Sequence, residues 1–521
     1  MSWVHRLGNY AGYLAKNYVS RNADKICHTT LQREINHLIK NPRIIPSVLH
    51  GKEYSGFLGE PHPSPSYGKP SIYQYGYLDK LHYPELANFE KGKMLWKNVP
   101  MCDKLEIFEK IANLVEDKYY YKLIAATMVG QGKNFVEAEL DAIAETVDFL
   151  RFNIQYTSQI CEKQPIGDMN YSQYLPLQGR VAAITPFNFT AIAANLSTAP
   201  LYFGNTVFWK PSEKSLLSNY LFYQICLEAG LPPEVLHFVI MKPEDYIQNV
   251  IRDRTGGVLF TGSTQAFTNI LGKINYQQHF PRIIGETGGK NFHFVEKTAD
   301  LDLVVEKTYQ SAYGYSGQKC SACSILYLPD FMIEDFRDKF RSYHENVHTE
   351  DEKEKYCLIG KDSYERTVKI LDNIKQDPSI DVLMGGSHDD TNGYYVEPTL
   401  CRVGPSKTRN SLTDKELFAP ILCLKHYHTN FTNLALMDCA KNSEYKLTGA
   451  IFSKDTEFIN FASEYLDNAC GNFYINDKST GSVVGQQPFG GFGKSGTNDK
   501  AGDINFMMRL FSQRNIKYNS N

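Results

Sequence analysis

Three short stretches of the 521-residue chain set chemically able side chains in unusual company. The first, Gly314-Tyr315-Ser316-Gly317-Gln318-Lys319-Cys320-Ser321, puts a cysteine in a small, polar, glycine-rich run directly after a lysine. The working nucleophile of such a group is the thiolate, and a neighbouring cation or backbone donors lower a thiol pKa from its usual ~8.5. Sequence adjacency alone does not aim the Lys319 ammonium at the sulfur, and a lone cysteine is more often a buried structural residue. The second stretch, Arg282-Ile-Ile-Gly-Glu286-Thr-Gly-Gly-Lys290-Asn, carries a carboxylate on a glycine-rich bend, a place suited to general-base work; the plainer reading is a solvated Glu on a turn. The third, Thr185-Pro186-Phe187-Asn188-Phe189, ends an apolar run. There an Asn amide is able to point at a reacting oxygen, against a plainer reading as ordinary turn chemistry.

Other motifs fail on inspection. No Gly-x-Gly-x-x-Gly run exists for a glycine-fingerprint dinucleotide site. Gly493-Lys494-Ser495 resembles the end of a phosphate loop, but Pro488 stands where its first glycine belongs. Cys320-x-x-Cys323 has no second close pair to complete tetrahedral zinc, so no metal is expected.

The elements that must position these groups follow from periodicity. Val181–Ile184, Thr206–Trp209, Leu236–Ile240 and Val258–Phe260 read as buried strands, with helices at Ser215–Ala229 and Gln265–Ile274. Such alternation predicts β-α-β units and a mostly parallel sheet. A second α/β pattern follows Lys290, with a helix near Leu301–Tyr313, a strand at Ile325–Leu328 and a helix after Phe331. Two α/β lobes with a ligand crevice between them are therefore expected. In 134–152, Val136, Leu140, Ile143, Val147 and Leu150 predict one apolar face of an amphipathic helix. Pro61, Pro63, Pro65 and Pro70 predict an extended surface arm over Glu60–Pro70.

Composition narrows the partners. A net charge of −3 with 22% charged residues leaves no basic footprint for nucleic acid, so small molecules are expected. Eleven scattered cysteines in so long a chain indicate a reducing compartment rather than a disulfide scaffold. The uncharged stretch between Arg180 and Lys210 is long enough to span a bilayer. Pro186, Asn188, Asn195, Pro200, Gly204 and Asn205 cut it into strand- and helix-sized pieces, so no membrane span is expected. Residues 1–24 contain Arg6, Lys16 and Arg21 and no acid before Asp24, the composition of a mitochondrial transit peptide as much as of a plain basic helix.

Taken together, the three stretches resemble the aldehyde dehydrogenase superfamily. The likeness continues in order through Phe208-Trp209-Lys210-Pro211-Ser212-Glu213, Phe260-Thr-Gly262-Ser263, Glu416-Leu417-Phe418 and Pro488-Phe489-Gly490-Gly491. Gly285–His293, the run Gly-Gln-Lys-Cys-Ser-Ala-Cys and Gly471–Gln487 narrow it to the branch acting on Δ1-pyrroline-5-carboxylate. The resemblance implies an α/β aldehyde dehydrogenase fold: two Rossmann-like lobes lacking the glycine fingerprint, plus a small β oligomerisation flap. It divides the chain into an NAD-binding domain over 25–286, interrupted by the flap at about 154–180, and a catalytic domain over 287–478. An anchor loop and C-terminal oligomerisation tail occupy 479–521.

The roles it implies are specific. Cys320 attacks an aldehyde, Asn188 and the Cys320 N–H hold the oxyanion, and Glu286 activates the hydrolytic water. Lys210, Ser212, Glu213, Gly262, Ser263, Glu416 and Phe418 hold the cofactor. That cofactor is NAD rather than NADP, because Glu213 repels a 2′-phosphate. Ser321, Gly481 and Ser482 receive the substrate carboxylate, Phe189 and Phe489 sandwich its aliphatic middle, and Glu145 matches a family acid near the pocket. The implied reaction oxidises L-glutamate γ-semialdehyde to glutamate in proline catabolism, in a homodimer or higher homo-oligomer of the mitochondrial matrix, otherwise of the cytoplasm. The competing readings are a dehydrogenase for another aldehyde and a silent homologue with a structural or binding role. Ala419 departs from the family's usual glycine. Cys323, one turn from Cys320 if the segment is helical, is a candidate to trap an oxidised Cys320.

Overall fold

Between Arg180 and Glu286 successive crossovers lay down five parallel strands. The computed structural model describes residues 7–20, 26–167, 169–274, 280–347, 357–404, 411–441 and 443–519. The proposed leader over 1–24 falls partly outside them. The first sheet runs in the order Arg282–Glu286, Thr255–Thr261, Arg180–Ile184, Val207–Lys210, Leu236–Phe238, and closes with the antiparallel hairpin Ser47–Leu49 and Lys52–Tyr54. Its central strands are buried along their length, as a sheet covered by helices on both faces demands. The second sheet orders Ile380–Met384, Thr399–Val403, Ile421–Tyr427, Cys323–Pro329, Asn291–Val295, Thr448–Phe452 and Asn472–Ile475, all parallel except the first.

The uncharged stretch folds as strand, helix Thr190–Thr198, a short 3-10 turn and strand. Among the described residues no helix is long and apolar enough to cross a membrane. Arg180, at its start, is buried and donates to the backbone carbonyls of Leu86, Asn249, Val250 and Asp253, tying the strand to the helical turns Lys80–Ala87 and Ile247–Ile251 and the bend after the latter.

Two expectations need correction. The continuous helix over 134–152 is broken by a π-helical turn at Leu140–Glu145 between Phe135–Glu139 and Thr146–Glu162. The wider turn rotates the apolar face, so Val136 and Leu140 lie exposed while Ile143, Val147 and Leu150 are buried. The proline-rich segment is no surface arm. His62–Pro63 pairs with Ser71–Tyr75, and Ser64 and Ser66 are buried, the Ser64 hydroxyl donating to the Val129 carbonyl.

The span 154–180 assigned to a flap divides into a helix end and a strand. Residues up to Glu162 belong to the preceding helix, whose Ile154 and Ile160 sit in the core. The strand is Asn170–Leu175, paired antiparallel with the tail strand Ser512–Lys517.

Candidate active site

Parallel strands deliver their C-terminal ends to one edge, and in the first sheet that edge carries Ile184, Lys210, Thr261 and Glu286. The chain turns to opposite sides of Arg180–Ile184 from there, because Val207–Lys210 lies on one flank and Thr255–Thr261 on the other. A crevice at such a switch point is where open α/β sheets bind ligands.

Cys320 faces this crevice from the second lobe. Its loop begins with Tyr315 (φ 49°) and Ser316 (φ 54°) in the left-handed region, strain sustained by tertiary bonds. The Tyr315 N–H donates to Glu137, its hydroxyl to the Gln131 carbonyl at 2.7 Å, and the Ser316 hydroxyl to the Cys357 carbonyl at 3.0 Å. Asn291 closes the other end, donating to the carbonyls of Cys320 and Ala322 at 2.7 and 2.9 Å. Burial, with Glu416 and Glu286 nearby, pushes the Cys320 thiol up to about 12. Lys319 does not oppose this: its chain end lies beside Gly314, and the charges acting on it are Glu137, Lys133, Lys478 and Glu145.

Two clefts meet at Cys320. One, spanning about 1140 Å³ with its mouth open to solvent, is lined by Asn188, Lys210, Ser212, Glu213, Gly262, Ser263, Glu416 and Phe418, besides Cys320 itself. The Lys210 ammonium pairs with Glu213 at 3.0 Å. The Ser263 hydroxyl accepts from the Ala266 N–H and caps the helix Thr264–Leu271, whose first turn opens onto the cleft. Glu416 accepts from the Gly289 N–H at 3.0 Å. A Cβ on Gly288 would overlap the Glu416 carboxyl, so only glycine permits that approach. Burial raises the Glu416 carboxyl to about 7, against the Gly289 N–H, Lys290 and Arg366. Phe418 stands in the left-handed region (φ 51°), edge-on to Phe187 at 5.9 Å. A cation with a paired carboxylate, a helix N-terminus and a buried carboxyl are the donors and acceptors that ribose hydroxyls and a pyrophosphate need, so the cleft fits a dinucleotide.

The other cleft, about 950 Å³, is lined by Glu145, Phe189, Glu286, Cys320, Ser321, Gly481, Ser482 and Phe489. Glu286 accepts from the Gly491 N–H at 3.3 Å; burial holds its carboxyl well above the usual range, with that N–H and Lys500 opposing. Lys500 donates to the carbonyls of Gly471 and Gly490, securing the turn that carries Phe489. Gly481 (φ 82°) and Ser482 form the far wall, the Ser482 hydroxyl donating to the Gln487 carbonyl. Glu145 lines the cleft, and burial and Asp141 raise its carboxyl to about 8 against Lys133 and Lys319.

Every candidate from the sequence thus borders one of the two clefts, and Cys320 borders both. The helical premise behind the Cys323 idea fails. Cys320–Ala322 is a turn entering the strand Cys323–Pro329, not a helix, and the Cys323 thiol is buried and donates to the Ile325 carbonyl. Sequence reasoning missed Arg366 in the first cleft, Lys500 and Phe149 in the second, and the supporting roles of Asn291 and His293. The last two sit in the Gly285–His293 motif, which was the available signal.

A family model described as the aldehyde dehydrogenase family matches residues 86–515. A relative from Emericella nidulans, named Delta-1-pyrroline-5-carboxylate dehydrogenase, mitochondrial, is 39% identical over 96% of this chain and 90% of its own. The human protein of the same name is 38% identical over 94% of this chain and 89% of its own. The crystal structure of Delta-pyrroline-5-carboxylate dehydrogenase from Mycobacterium tuberculosis bound with NAD superposes with a TM-score of 0.90 at 33% identity, covering 97% of this chain and 96% of that one. A match of this extent, carried by a fold that superposes over nearly the whole length, means that the chain belongs to the aldehyde dehydrogenase family.

Proposed function

We propose that the protein oxidises L-glutamate γ-semialdehyde, the open form of Δ1-pyrroline-5-carboxylate, to L-glutamate with reduction of NAD, the second step of proline catabolism. The observation that carries this is one thiol at the junction of a dinucleotide-shaped cleft and a second cleft walled by Gly481 and Ser482. Relatives and solved neighbours bearing the corresponding names support the substrate.

In this reading the Cys320 thiol gives its proton up to solvent water, Sγ bonds to the aldehyde carbon, and the carbonyl π pair moves to oxygen, giving a thiohemiacetal anion. Asn188 and the Cys320 N–H receive the oxyanion, where one donor is typically worth about 10²–10³ in rate. The chemistry NAD would supply in that cleft is a hydride acceptor for the substrate carbon held on Cys320. Cys320 then holds a thioester, Glu286 takes a proton from water as the oxygen attacks, and the C–S bond breaks to free glutamate. Glu286 must be ionised for this, so the rate rises with pH through its raised pKa. Lys210 and Glu213 hold the adenosine ribose, with Ser212 beside them, and Glu213 disfavours a 2′-phosphate. The helix start at Gly262-Ser263 takes the pyrophosphate, and Glu416 and Phe418 the nicotinamide ribose. Ser321, Gly481 and Ser482 take the substrate carboxylate, Phe189 and Phe489 its methylenes, and Glu145 the ammonium.

An assembly of at least two copies, in the mitochondrial matrix, rests on the family resemblance of the two-stranded arm Asn170–Leu175 and Ser512–Lys517, which pairs within one chain, and on relatives whose names say mitochondrial. The test is NADH formation with Δ1-pyrroline-5-carboxylate. Wild type turns over, Cys320→Ser does not, and Ser482→Ala loses chiefly substrate affinity. No turnover by folded, NAD-binding protein would sink the substrate assignment.

A further inference from the structure

The segment Gln131–Glu145 ends in the wall of the second cleft and touches both the Phe189 turn and the Tyr315 loop. Its Lys133 and Asp141 form an ion pair of 2.7 Å, with the two side chains only 1% and 2% exposed. Asp141 also accepts from the N–H groups of Thr190 and Ala191, each at 2.9 Å. These are the first residues of helix Thr190–Thr198, whose own N-cap, Phe189, offers no side-chain bond. The helix that starts directly after Asn188 is therefore capped by a carboxylate from a distant part of the chain.

Lys133 supplies the matching contact. Its ammonium sits 4.5 Å from the Phe189 ring centroid and 4.8 Å from that of Tyr315. One ring belongs to the turn that carries Asn188, the other to the loop that leads to Cys320. A desolvated cation between two aromatic faces attracts both. Glu137, from the same segment, adds its bond to the Tyr315 N–H. The π-turn at Leu140–Glu145 is what brings Asp141 into this patch, a distortion of the kind that recurs at functional sites. Stability alone is a poor account of the pair, because buried ion pairs are often no better than well-packed apolar replacements.

We propose that the buried Lys133–Asp141 pair is a positioning element of the reaction, which sets the Asn188 turn against the Cys320 loop and so registers the oxyanion donor to the nucleophile. This rests on the reading of Asn188 given above.

A double-mutant cycle tests it. Lys133→Met, Asn188→Ala and the combined variant are assayed for kcat by NADH formation and for NAD binding by fluorescence titration. Lys133→Met is expected to lower kcat about 10- to 100-fold, the scale of a small misplacement at a reaction centre. It leaves the NAD Kd within about twofold and, in the Asn188→Ala background, costs less than about threefold more. Lys133→Arg regains part of the loss. An undiminished loss in the Asn188→Ala background, or an unchanged kcat in Lys133→Met, overturns the proposal. Should Lys133→Met fail to fold, Asp141→Asn enters the same cycle, since it removes the charge and keeps one acceptor. Wild type that oxidises propanal or succinate semialdehyde but not Δ1-pyrroline-5-carboxylate overturns the substrate assignment alone, and the cycle is then read with the accepted aldehyde.

Discussion

The side-chain amide of Asn188 donates to the backbone carbonyl of Gln318 at 3.0 Å, joining the two lobes two residues before Cys320. One amide hydrogen is thus committed to holding orientation, and the second is left for the oxyanion. Asn188→Ala should lower kcat about 10²–10³-fold. Asn188→Asp should be worse, because a carboxylate there faces the Gln318 carbonyl and offers no donor. Single-turnover NADH formation measures both, and equal rates for the two variants would contradict the geometry.

Glu416 titrates at about 7 and accepts from Gly289 only through one oxygen. Its ionised form is the better acceptor for a ribose hydroxyl, so NAD affinity should rise as pH increases through about 7. Glu416→Gln should bind NAD more weakly and lose that dependence. Calorimetric titration on both sides of neutrality checks it.

Burial first, then Asp141 and Asp148, raise the Glu145 carboxyl from 4.5 to about 8 against Lys133 and Lys319, so it binds its proton more tightly folded than unfolded. Its contribution to stability is present below 4.5 and lost as pH rises toward 8. Glu145→Gln should therefore melt higher than wild type at pH 8 and above, with the gap closing in acid. The same variant should raise the KM for Δ1-pyrroline-5-carboxylate about tenfold, the order of one charge-assisted hydrogen bond. Melting curves across pH, with KM on the same preparations, decide both points.

His293 is fully buried and joins the Thr308 hydroxyl at 2.9 Å to the Ser479 hydroxyl at 3.0 Å. Burial lowers it to about 3, so it stays neutral and its bonds are indifferent to working pH. Ser479 is the root of the loop that presents Gly481 and Ser482. His293→Leu should raise KM for Δ1-pyrroline-5-carboxylate about tenfold through the loss of hydrogen bonds at that root, while propanal, which lacks a carboxylate, keeps its KM. Equal effects on both aldehydes would mean a general packing role.

The sequence alone determined much here, for identifiable reasons. Parallel strands buried on both faces write near-continuous apolar runs, so Arg180–Ile184, Val207–Lys210 and Thr255–Thr261 were legible within a few residues. Cys320, Glu286 and Asn188 each had a plainer reading taken singly, and it was the ordered resemblance to the aldehyde dehydrogenase superfamily that singled them out together. What only the tertiary structure decided are relations between segments distant in sequence. Periodicity assumes a uniform 3.6-residue turn, and the π-turn at Leu140–Glu145 breaks it, which exposed Val136 and Leu140 and brought Asp141 to the helix at Thr190. A proline-rich stretch reads as surface until a partner covers it, as the Val129 carbonyl and its neighbours cover Ser64. The upward shift of the Cys320 thiol and of the Glu286 and Glu145 carboxyls comes first from burial, which depends on what the fold lays over them. Residue type and local spacing are written along the chain; desolvation and the meeting of distant side chains exist only once it has folded.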